Sequence, residues 1–297
     1  MGTLCRITYA ASSRGAREFR EAALRWVADF EARYSRFLPD SLICRINQSA
    51  GRESVKIDPE TERIFALCHE AHFLTHGVFD PTALPLIELW DWRANLPAVP
   101  TEAEIEAARA KVGWAKVQRG KGRIFLPQEG MGLDLGGIGK EYAVDRVVQL
   151  ALQHGIASVL VDFGQDVFAY GEPADGRKTW HIGLEDPKQP GKCWAGLAVT
   201  NQAVATSGDY FRRFELNGRR YGHILDVRTG KPVANGCRSV SVIAPTCTAA
   251  GILSTAIFVL GPAEGLRLVD AYYQAEGCII TENSKIPSRR FYEHVAS

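Results

Sequence analysis

Residues 133–145, LDLGGIGKEYAVD, place two adjacent glycines and the cation Lys140 between an apolar run and a helix-like pattern. Gly136, Gly137 and Gly139 lack a Cβ atom, so the backbone can approach a ligand closely at this point. The first turn of a helix offers unpaired N–H groups and the positive end of the helix dipole to an anion. The segment therefore predicts a strand-to-helix turn that faces a phosphate, although a tight packing corner gives the same pattern.

The composition of the whole chain is typical of an enzyme with a sizeable core and no strong net charge. Hydrophobic residues make up 46% of the 297 residues, and 35 basic residues face 34 acidic ones, which leaves a net charge of +1. Such a balance produces no long-range field for nucleic acid or for an anionic membrane, so any anion must be bound locally. The longest apolar run is too short to span a bilayer.

The seven cysteines indicate a reducing compartment. Their odd number and irregular spacing argue against a disulfide framework, and the sequence contains no CxxC motif. The first residues also lack the apolar segment that a signal peptide contains. We therefore expect a cytoplasmic protein, unless an export leader has been removed.

Short β-like runs alternate with amphipathic helices along the chain, without internal repeats. Apolar residues at helical spacing predict helices over residues 16–34, 60–76 and 142–154, one that begins at Thr101 with an acidic first turn, and a last one from about Thr248. Alternating β-branched and aromatic residues predict strands over residues 158–170, 180–184, 197–203 and 240–244. The glycine pattern is not GxGxxG after an N-terminal strand, so a Rossmann fold is not supported. We expect one α+β domain over residues 1–297, with mixed, largely antiparallel strands packed against helices.

Further segments, taken in chain order with the glycine segment, resemble one known family. They are MGT at 1–3, YSRFLPDSLICRIN at 34–47, GVFDPTALPLIELW at 77–90, ATSGDYFRRF at 205–214, GHILDVRTGKPV at 222–233 and SVSVIAPTCTAAGILSTAIFVLG at 239–261. Their joint order and spacing resemble the ApbE family, the FAD:protein FMN transferases, over nearly the whole chain. The resemblance implies an ApbE-like fold that binds FAD and acts with Mg²⁺.

The resemblance also implies which residues surround FAD. These are Met1, Phe37, Val78, Phe79, Asp80, Lys140 and Leu225. Phe37 and Phe79 offer aromatic faces to a flat ring, and Asp80 offers acceptors to a ribose or a base edge. Without the family, core aromatics and an Asp-Pro turn are the simpler interpretation of the same residues.

Lys140 matches the family position that contacts the FAD phosphates, and its point charge near a helix start suits that role. A solvated lysine on a helix face is the alternative. Glu141 replaces the glycine that usually follows this lysine, which puts a carboxylate beside the phosphate site unless the side chain points outward. Asp134 is more simply interpreted as an acceptor for backbone donors of the turn.

His223 lies in a segment that resembles the family's SHIxDPxTG, where the histidine is a candidate general base for the acceptor hydroxyl. A histidine hydrogen-bonded at a strand end is the alternative. Asp226 and Arg228 predict a turn held by its own side chains. Residues 206–208 either donate to the phosphates or form a turn.

The chain departs from the family at the predicted metal site. The family supplies a backbone carbonyl from the glycine turn, here that of Gly137, and a helix of the form ADxLxT whose aspartate and threonine complete the site. Here Thr255 matches the threonine, Gly251 stands in place of the aspartate, and Ser254 occupies a neighbouring position that can carry an acidic ligand. The loss of an anionic ligand weakens the binding of a hard cation, so we expect Gly251→Asp to raise Mg²⁺ affinity.

Three outcomes are compatible with this departure. Mg²⁺ binds through the FAD phosphates, the Gly137 carbonyl and Thr255, or an acidic residue such as Glu141 or Asp209 compensates, or the protein binds flavin without transferring it. The leading function is transfer of FMN from FAD to a threonine or serine hydroxyl of a partner protein, with release of AMP. The alternatives are a non-catalytic FAD-binding paralogue and an Mg²⁺-dependent FAD pyrophosphatase.

Two further patterns carry weaker signals. His69, His72 and His76 share one helix face, which zinc binding permits, but HEAH is not HExxH and a polar helix stripe is the simpler interpretation. Cys247 precedes the predicted metal helix, where a helix N-terminus can activate a thiol, yet a buried inert thiol fits better.

Overall fold

The computed structural model describes residues 2–10, 13–93, 98–209 and 212–296. Met1, a predicted FAD contact, lies outside these ranges. The chain forms two compact units, one of residues 1–31, 138–208 and 236–297 and the other of residues 32–137 and 209–235.

Helices and strands alternate along both units. The helices are α1 (Ser13–Tyr34), α2 (Leu42–Gln48), α3 (Pro59–Leu74), α4 (Leu84–Leu89), α5 (Glu102–Arg109), α6 (Gly139–Gln153), α7 (Cys247–Leu260) and α8 (Pro262–Ala271). The strands are β1 (Cys5–Ala10), β2 (Val55–Lys56), β3 (Gln118–Gly120), β4 (Arg123–Phe125), β5 (Ser158–Phe163), β6 (Asp166–Tyr170), β7 (Trp180–Asp186), β8 (Gln189–Val199), β9 (Gln202–Gly208), β10 (Arg213–Leu216), β11 (Arg219–Gly222), β12 (Leu225–Asp226), β13 (Lys231–Pro232), β14 (Cys237–Ala244), β15 (Glu276–Thr281) and β16 (Lys285–Pro287).

The first unit is built on a seven-stranded sheet of order β1-β5-β6-β9-β14-β15-β16. Each pair of neighbours in this sheet is antiparallel. Helix α6 packs on β5 and β6, α7 packs on β9 and β14, and α6 and α7 also contact each other. Almost every residue of α7 is buried, as expected for a helix that is apolar on all sides. The predicted α+β class with largely antiparallel strands is confirmed.

The second unit contains α2 to α5, a three-stranded sheet of order β2-β4-β3, and the pairs β10–β11 and β12–β13. The predicted helix start at Thr101 is confirmed as a capping box. Thr101 Oγ1 accepts from the Glu104 backbone N–H, and Glu104 Oε2 accepts from the Thr101 backbone N–H at 2.8 Å.

Several predicted element boundaries are wrong. The run 158–170 is a hairpin, because Gly164 and Gln165 both adopt positive φ and Phe163 pairs with Asp166. The run 197–203 spans the turn between β8 and β9, where Asn201 has a φ of 56°. Residues before the glycine turn form only an isolated bridge, between Ala83 and Gly132, instead of a strand. The helix near Thr248 is followed by one more, α8.

None of the described helices combines the length and the apolar character that a membrane span needs.

Candidate active site

The glycine turn is held by side chains from the 34–47 motif, all within the second unit. The Asn47 amide pairs with the backbone of Leu133, because Nδ2 donates to the Leu133 carbonyl at 3.0 Å and Oδ1 accepts from the Leu133 N–H at 2.7 Å. Asp134 Oδ1 accepts from the Gly136 N–H at 2.6 Å, and its other oxygen pairs with Arg36. The predicted role of Asp134 as a backbone acceptor is thus confirmed.

Protein atoms lie close to the two adjacent glycines of the turn. A Cβ atom on Gly136 would lie 2.6 Å from Asp134 Oδ1, and one on Gly137 would lie 3.2 Å from the Phe79 ring. Neither glycine adopts a positive φ among the described residues. The backbone conformation therefore permits other residues, and it is the packing around the turn that selects glycine.

The predicted flavin-binding residues of the second unit differ in accessibility. Phe37 is 60% exposed, and the guanidinium carbons of Arg36 and Arg93 lie 4.3 and 5.1 Å from its ring centroid. Val78 and Phe79 are buried. Of these residues, Phe37 presents an aromatic surface to solvent.

Asp80 uses its oxygens within the protein. Oδ1 accepts from the backbone N–H and the hydroxyl of Thr82, and Oδ2 accepts from the Trp114 N–H at 2.9 Å. These bonds fix the turn that follows Phe79. Leu225, on β12, packs against a buried cluster that contains Trp90.

His223 lies at the end of the β10–β11 hairpin. Its backbone N–H donates to the Arg212 carbonyl at 3.0 Å, and its ring Nδ1 lies 3.1 Å from the same oxygen. Burial, helped by the charges of Arg212 and Arg93, lowers the pKa of His223 to about 4. The imidazole is therefore neutral at physiological pH, the protonation state that a general base needs. Nearby, the predicted Asp226–Arg228 turn is confirmed, since both carboxylate oxygens accept from the Arg228 side chain.

In the first unit, Lys140 lies in the first turn of α6 between two carboxylates. Its Nζ donates to Glu141 Oε1 at 2.8 Å and also pairs with Asp166 on β6. The Lys140 side chain is 20% exposed, and the Glu141 side chain is 6% exposed. Lys140 is therefore a fixed, partly accessible charge, whereas Glu141 points inward. The alternative of an outward-pointing Glu141 is wrong.

The predicted metal helix α7 presents hydroxyl groups next to this charge cluster. Ser254 Oγ donates to the Gly251 carbonyl at 3.1 Å, and Ser207 Oγ on β9 lies 3.0 Å from both Ser254 Oγ and Thr255 Oγ1. Ser207 belongs to a strand and not to a turn. A Cβ atom on Gly251 would lie 2.4 Å from Glu141 Cγ, so the Glu141 side chain already fills the space in front of Gly251.

A third carboxylate connects α6 to the start of α7. Asp145 accepts from the backbone N–H groups of Cys247 and Thr248, at 2.7 and 2.9 Å, and from the Thr248 hydroxyl. Burial raises the pKa of Asp145 to about 6. Cys247 is fully buried, and burial raises the pKa of its thiol, which confirms the predicted inert state.

The histidine pattern does not form a metal site. His72 Nδ1 lies 3.0 Å from the Phe79 carbonyl. Within the described ranges, no group of three or more His, Cys, Asp or Glu side chains is arranged to hold a metal ion. A cation at α7 would therefore need hydroxyl, carbonyl or substrate oxygens in addition to carboxylates.

The sequence reasoning missed Asn47, Asp145 and Asp166. Asp145 stands four residues after Glu141, the spacing that puts two side chains on one helix face, so its position was detectable. Asp166 follows a two-residue turn that lacks the common Asn-Gly signature. Nothing in the local sequence pairs Asn47 with Leu133.

Comparisons with known proteins give a consistent result. A family model described as the ApbE family matches residues 1–279. The FAD:protein FMN transferase of Treponema pallidum (strain Nichols) is 32% identical over 307 residues, which cover 96% of this chain and 84% of that protein. An FAD:protein FMN transferase of Klebsiella pneumoniae (strain 342) is 32% identical, over 83% of this chain and 77% of that protein.

Solved structures agree along the full length. The ApbE protein of Thermotoga maritima is similar with a TM-score of 0.90 at 34% identity, covering 100% of this chain and 97% of that one. The flavin transferase ApbE of Vibrio cholerae is similar with a TM-score of 0.89 at 27% identity, covering 99% and 96%.

Proposed function

Because the chain belongs to the ApbE family, we propose that it is an FAD:protein FMN transferase. It moves FMN from FAD to a threonine or serine hydroxyl of a partner protein. The hydroxyl oxygen forms a bond to the FMN-side phosphorus, the pyrophosphate P–O bond breaks, and AMP leaves. Neither nucleic acid nor a membrane takes part.

The observation that carries this proposal is the fixed ammonium of Lys140. Two carboxylates, Glu141 and Asp166, hold the charge in the first turn of α6 while one fifth of its side chain stays exposed. A positioned cation at a helix start stabilises the charge that develops on a phosphate during attack. We assign Lys140 to the FAD phosphates.

The remaining FAD contacts follow from accessibility. Phe37, with its exposed ring, contacts the flavin ring. The Phe79 ring packs close to Gly137, and Asp80 keeps the turn after Phe79 in place. Val78 retains the role that the family resemblance implies. Met1 and Leu225 retain the roles that the family resemblance implies.

His223 is the general base of the proposed reaction. Its neutral imidazole takes the proton of the acceptor hydroxyl as the new oxygen–phosphorus bond forms. The lowered pKa of His223 keeps this base unprotonated over the physiological pH range.

The hydroxyl groups on α7 fit a divalent cation. Thr255 Oγ1 would hold Mg²⁺ together with FAD phosphates, while Ser254 supports Ser207 and the helix backbone. The Gly137 carbonyl retains the role of metal ligand that the family resemblance implies. When bound, Mg²⁺ neutralises charge on the phosphates and assists the departure of AMP.

The test is in-gel flavin fluorescence of a flavinylatable acceptor domain after incubation with the protein, FAD and Mg²⁺. We expect a fluorescent acceptor that EDTA abolishes. His223→Gln should leave the acceptor dark while FAD still binds, and the exposed His69→Gln serves as the matched control. A dark acceptor with bound FAD would identify a non-catalytic paralogue, and release of free FMN and AMP without acceptor would identify a pyrophosphatase.

We also propose that the protein works in a reducing, cytoplasmic compartment. None of the seven cysteines is joined in a disulfide, and four of them are buried and serve as small core residues. Cell fractionation of the native protein tests this assignment.

A further inference from the structure

The helices α6 and α7 of the first unit meet at Glu141 and Gly251. The contact is steric, since a Cβ atom on Gly251 would lie 2.4 Å from Glu141 Cγ, 3.0 Å from Cδ and 3.2 Å from Oε1. Any side chain at position 251 would therefore enter space that Glu141 already occupies. The two positions are complementary in size, and only one of them can carry a side chain there without movement of the other.

This pair is the reverse of the family pattern. The resemblance gives a glycine after the lysine and an aspartate at the position of Gly251, whereas this chain has glutamate after Lys140 and glycine at 251. The carboxylate has changed helices, from α7 to α6. In this chain Glu141 reaches across to α7, so that its side chain lies directly in front of Gly251.

One oxygen of Glu141 has no protein partner in the described part of the chain. Oε1 accepts from Lys140, but Oε2 is buried and makes no hydrogen bond. A buried carboxylate oxygen without a donor is unfavourable, and a cation satisfies it. Two carboxylates, Glu141 and Asp166, share the single ammonium of Lys140.

Oxygen donors for a hard cation lie on the same face of α7. Thr255 follows Gly251 by four residues, so the two positions are stacked one helical turn apart. Thr255 Oγ1 and Ser254 Oγ both form hydrogen bonds with Ser207 Oγ. A carboxylate, a hydroxyl and phosphate oxygens from a bound nucleotide make a donor set that suits Mg²⁺.

We propose that Glu141 is the carboxylate ligand of the divalent cation in this protein and replaces the missing side chain at position 251. The inference rests on the proposed transferase function for the identity of the nucleotide. Gly251 is then not a sign of a lost metal site. It is the small residue that Glu141 requires.

This assignment predicts a different result from the expectation that Gly251→Asp raises Mg²⁺ affinity. An aspartate at 251 would collide with Glu141 and place two carboxylates in one space, so the single variant should bind Mg²⁺ no better than the parent. Gly251→Asp should increase Mg²⁺ affinity only when the Glu141 side chain is removed as well.

The experiment is calorimetric titration of Mg²⁺ into FAD-saturated protein without acceptor, on the parent and four variants. Glu141→Gln keeps the size of the side chain and should weaken Mg²⁺ binding by about tenfold or more. Glu141→Gly should do the same, and the double variant Glu141→Gly with Gly251→Asp should recover affinity to within a few-fold of the parent. Glu172→Gln removes an exposed carboxylate of the same unit and should change nothing.

The outcomes separate this inference from the proposed function. If Mg²⁺ affinity falls when the Glu141 carboxylate is removed, the inference is supported even if the protein transfers no FMN. Mg²⁺-dependent transfer by the parent, with unchanged affinity in Glu141→Gln, overturns the inference and leaves the function intact. If the folded double variant binds Mg²⁺ no more tightly than Glu141→Gly, a carboxylate at position 251 does not replace the one at position 141, and the inference is overturned in this respect.

Discussion

Replacement of Gly251 by alanine should destabilise the protein because of the contact with Glu141, whereas the same substitution stabilises most helices. In most helix interiors, Gly→Ala is favourable by about 1 kcal/mol because alanine has the higher helix propensity. At position 251 the new Cβ atom would lie 2.4 Å from Glu141 Cγ. Comfortable contacts between carbon atoms begin at about 3.5 Å, so roughly 1 Å must be recovered by movement.

The size of the effect follows from these opposing contributions. Extra methyl groups in packed interiors cost about 1–3 kcal/mol. Set against the propensity gain, Gly251→Ala should lower the free energy of unfolding by about 0–2 kcal/mol. In a Glu141→Ala background the collision is absent, and the same substitution should stabilise the protein by about 1 kcal/mol.

Urea denaturation of the parent, both single variants and the double variant, followed by tryptophan fluorescence, measures this coupling. The cycle cancels the separate cost of removing the Glu141 side chain. We expect a coupling energy of about 1–3 kcal/mol between the two positions. Equal stabilisation by Gly251→Ala in both backgrounds would refute the placement of Glu141 against α7.

Three other substitutions test separate parts of the site. His223→Gln should slow FMN transfer by about 10²–10⁴-fold, and because the pKa of His223 is lowered to about 4, the parent's rate should show no acid limb between pH 8 and 5.5; a limb near pH 6.5 would contradict this. Asp145→Ala should cost about 1–3 kcal/mol in urea denaturation, since the N–H groups of Cys247 and Thr248 lose their acceptor. In the parent, the free energy of unfolding should fall as the pH rises from about 4 to 6, because the pKa of Asp145 in the folded state, about 6, lies above its unfolded value. Asp145→Ala should abolish this fall. Phe37→Ala should weaken FAD binding by roughly 2- to 10-fold in a fluorescence titration yet leave the urea midpoint unchanged, because the ring is exposed; a loss of stability instead would mean that Phe37 is a packing residue.

Features set by local sequence were predictable. The helix start at Thr101 and the helical spacing of residues 16–34 depend on neighbours within a few residues, and the structure reproduces both with small shifts at the ends. The β5–β6 hairpin turn at Gly164-Gln165 and the break between β8 and β9 at Thr200-Asn201 were not predicted, because neither pair is a strong turn signature. Residues of β-like composition continue on both sides of each break, so the sequence shows no boundary there.

The site was predictable in its residue types and not in its contacts. The family resemblance identified position 251 as anomalous, and Glu141 as one of two acidic candidates for compensation. Which one does so depends on how α6 packs against α7, and this is a tertiary property that helical periodicity does not encode. The same limit explains why Asp166 escaped notice as the second partner of Lys140.

The bonds from Asp145 to the start of α7 also determine the rotation of that helix. Asp145 contacts residues 247 and 248, and Glu141, one turn earlier on α6, meets residue 251, one turn later on α7. Two points of attachment on antiparallel helices fix both the sliding and the rotation of α7. Each residue of a helix advances by about 100°. One extra residue between Thr248 and Gly251 would therefore turn a bulkier neighbour toward Glu141 and carry Thr255 away from Ser207, even though every side chain of the site would still be present.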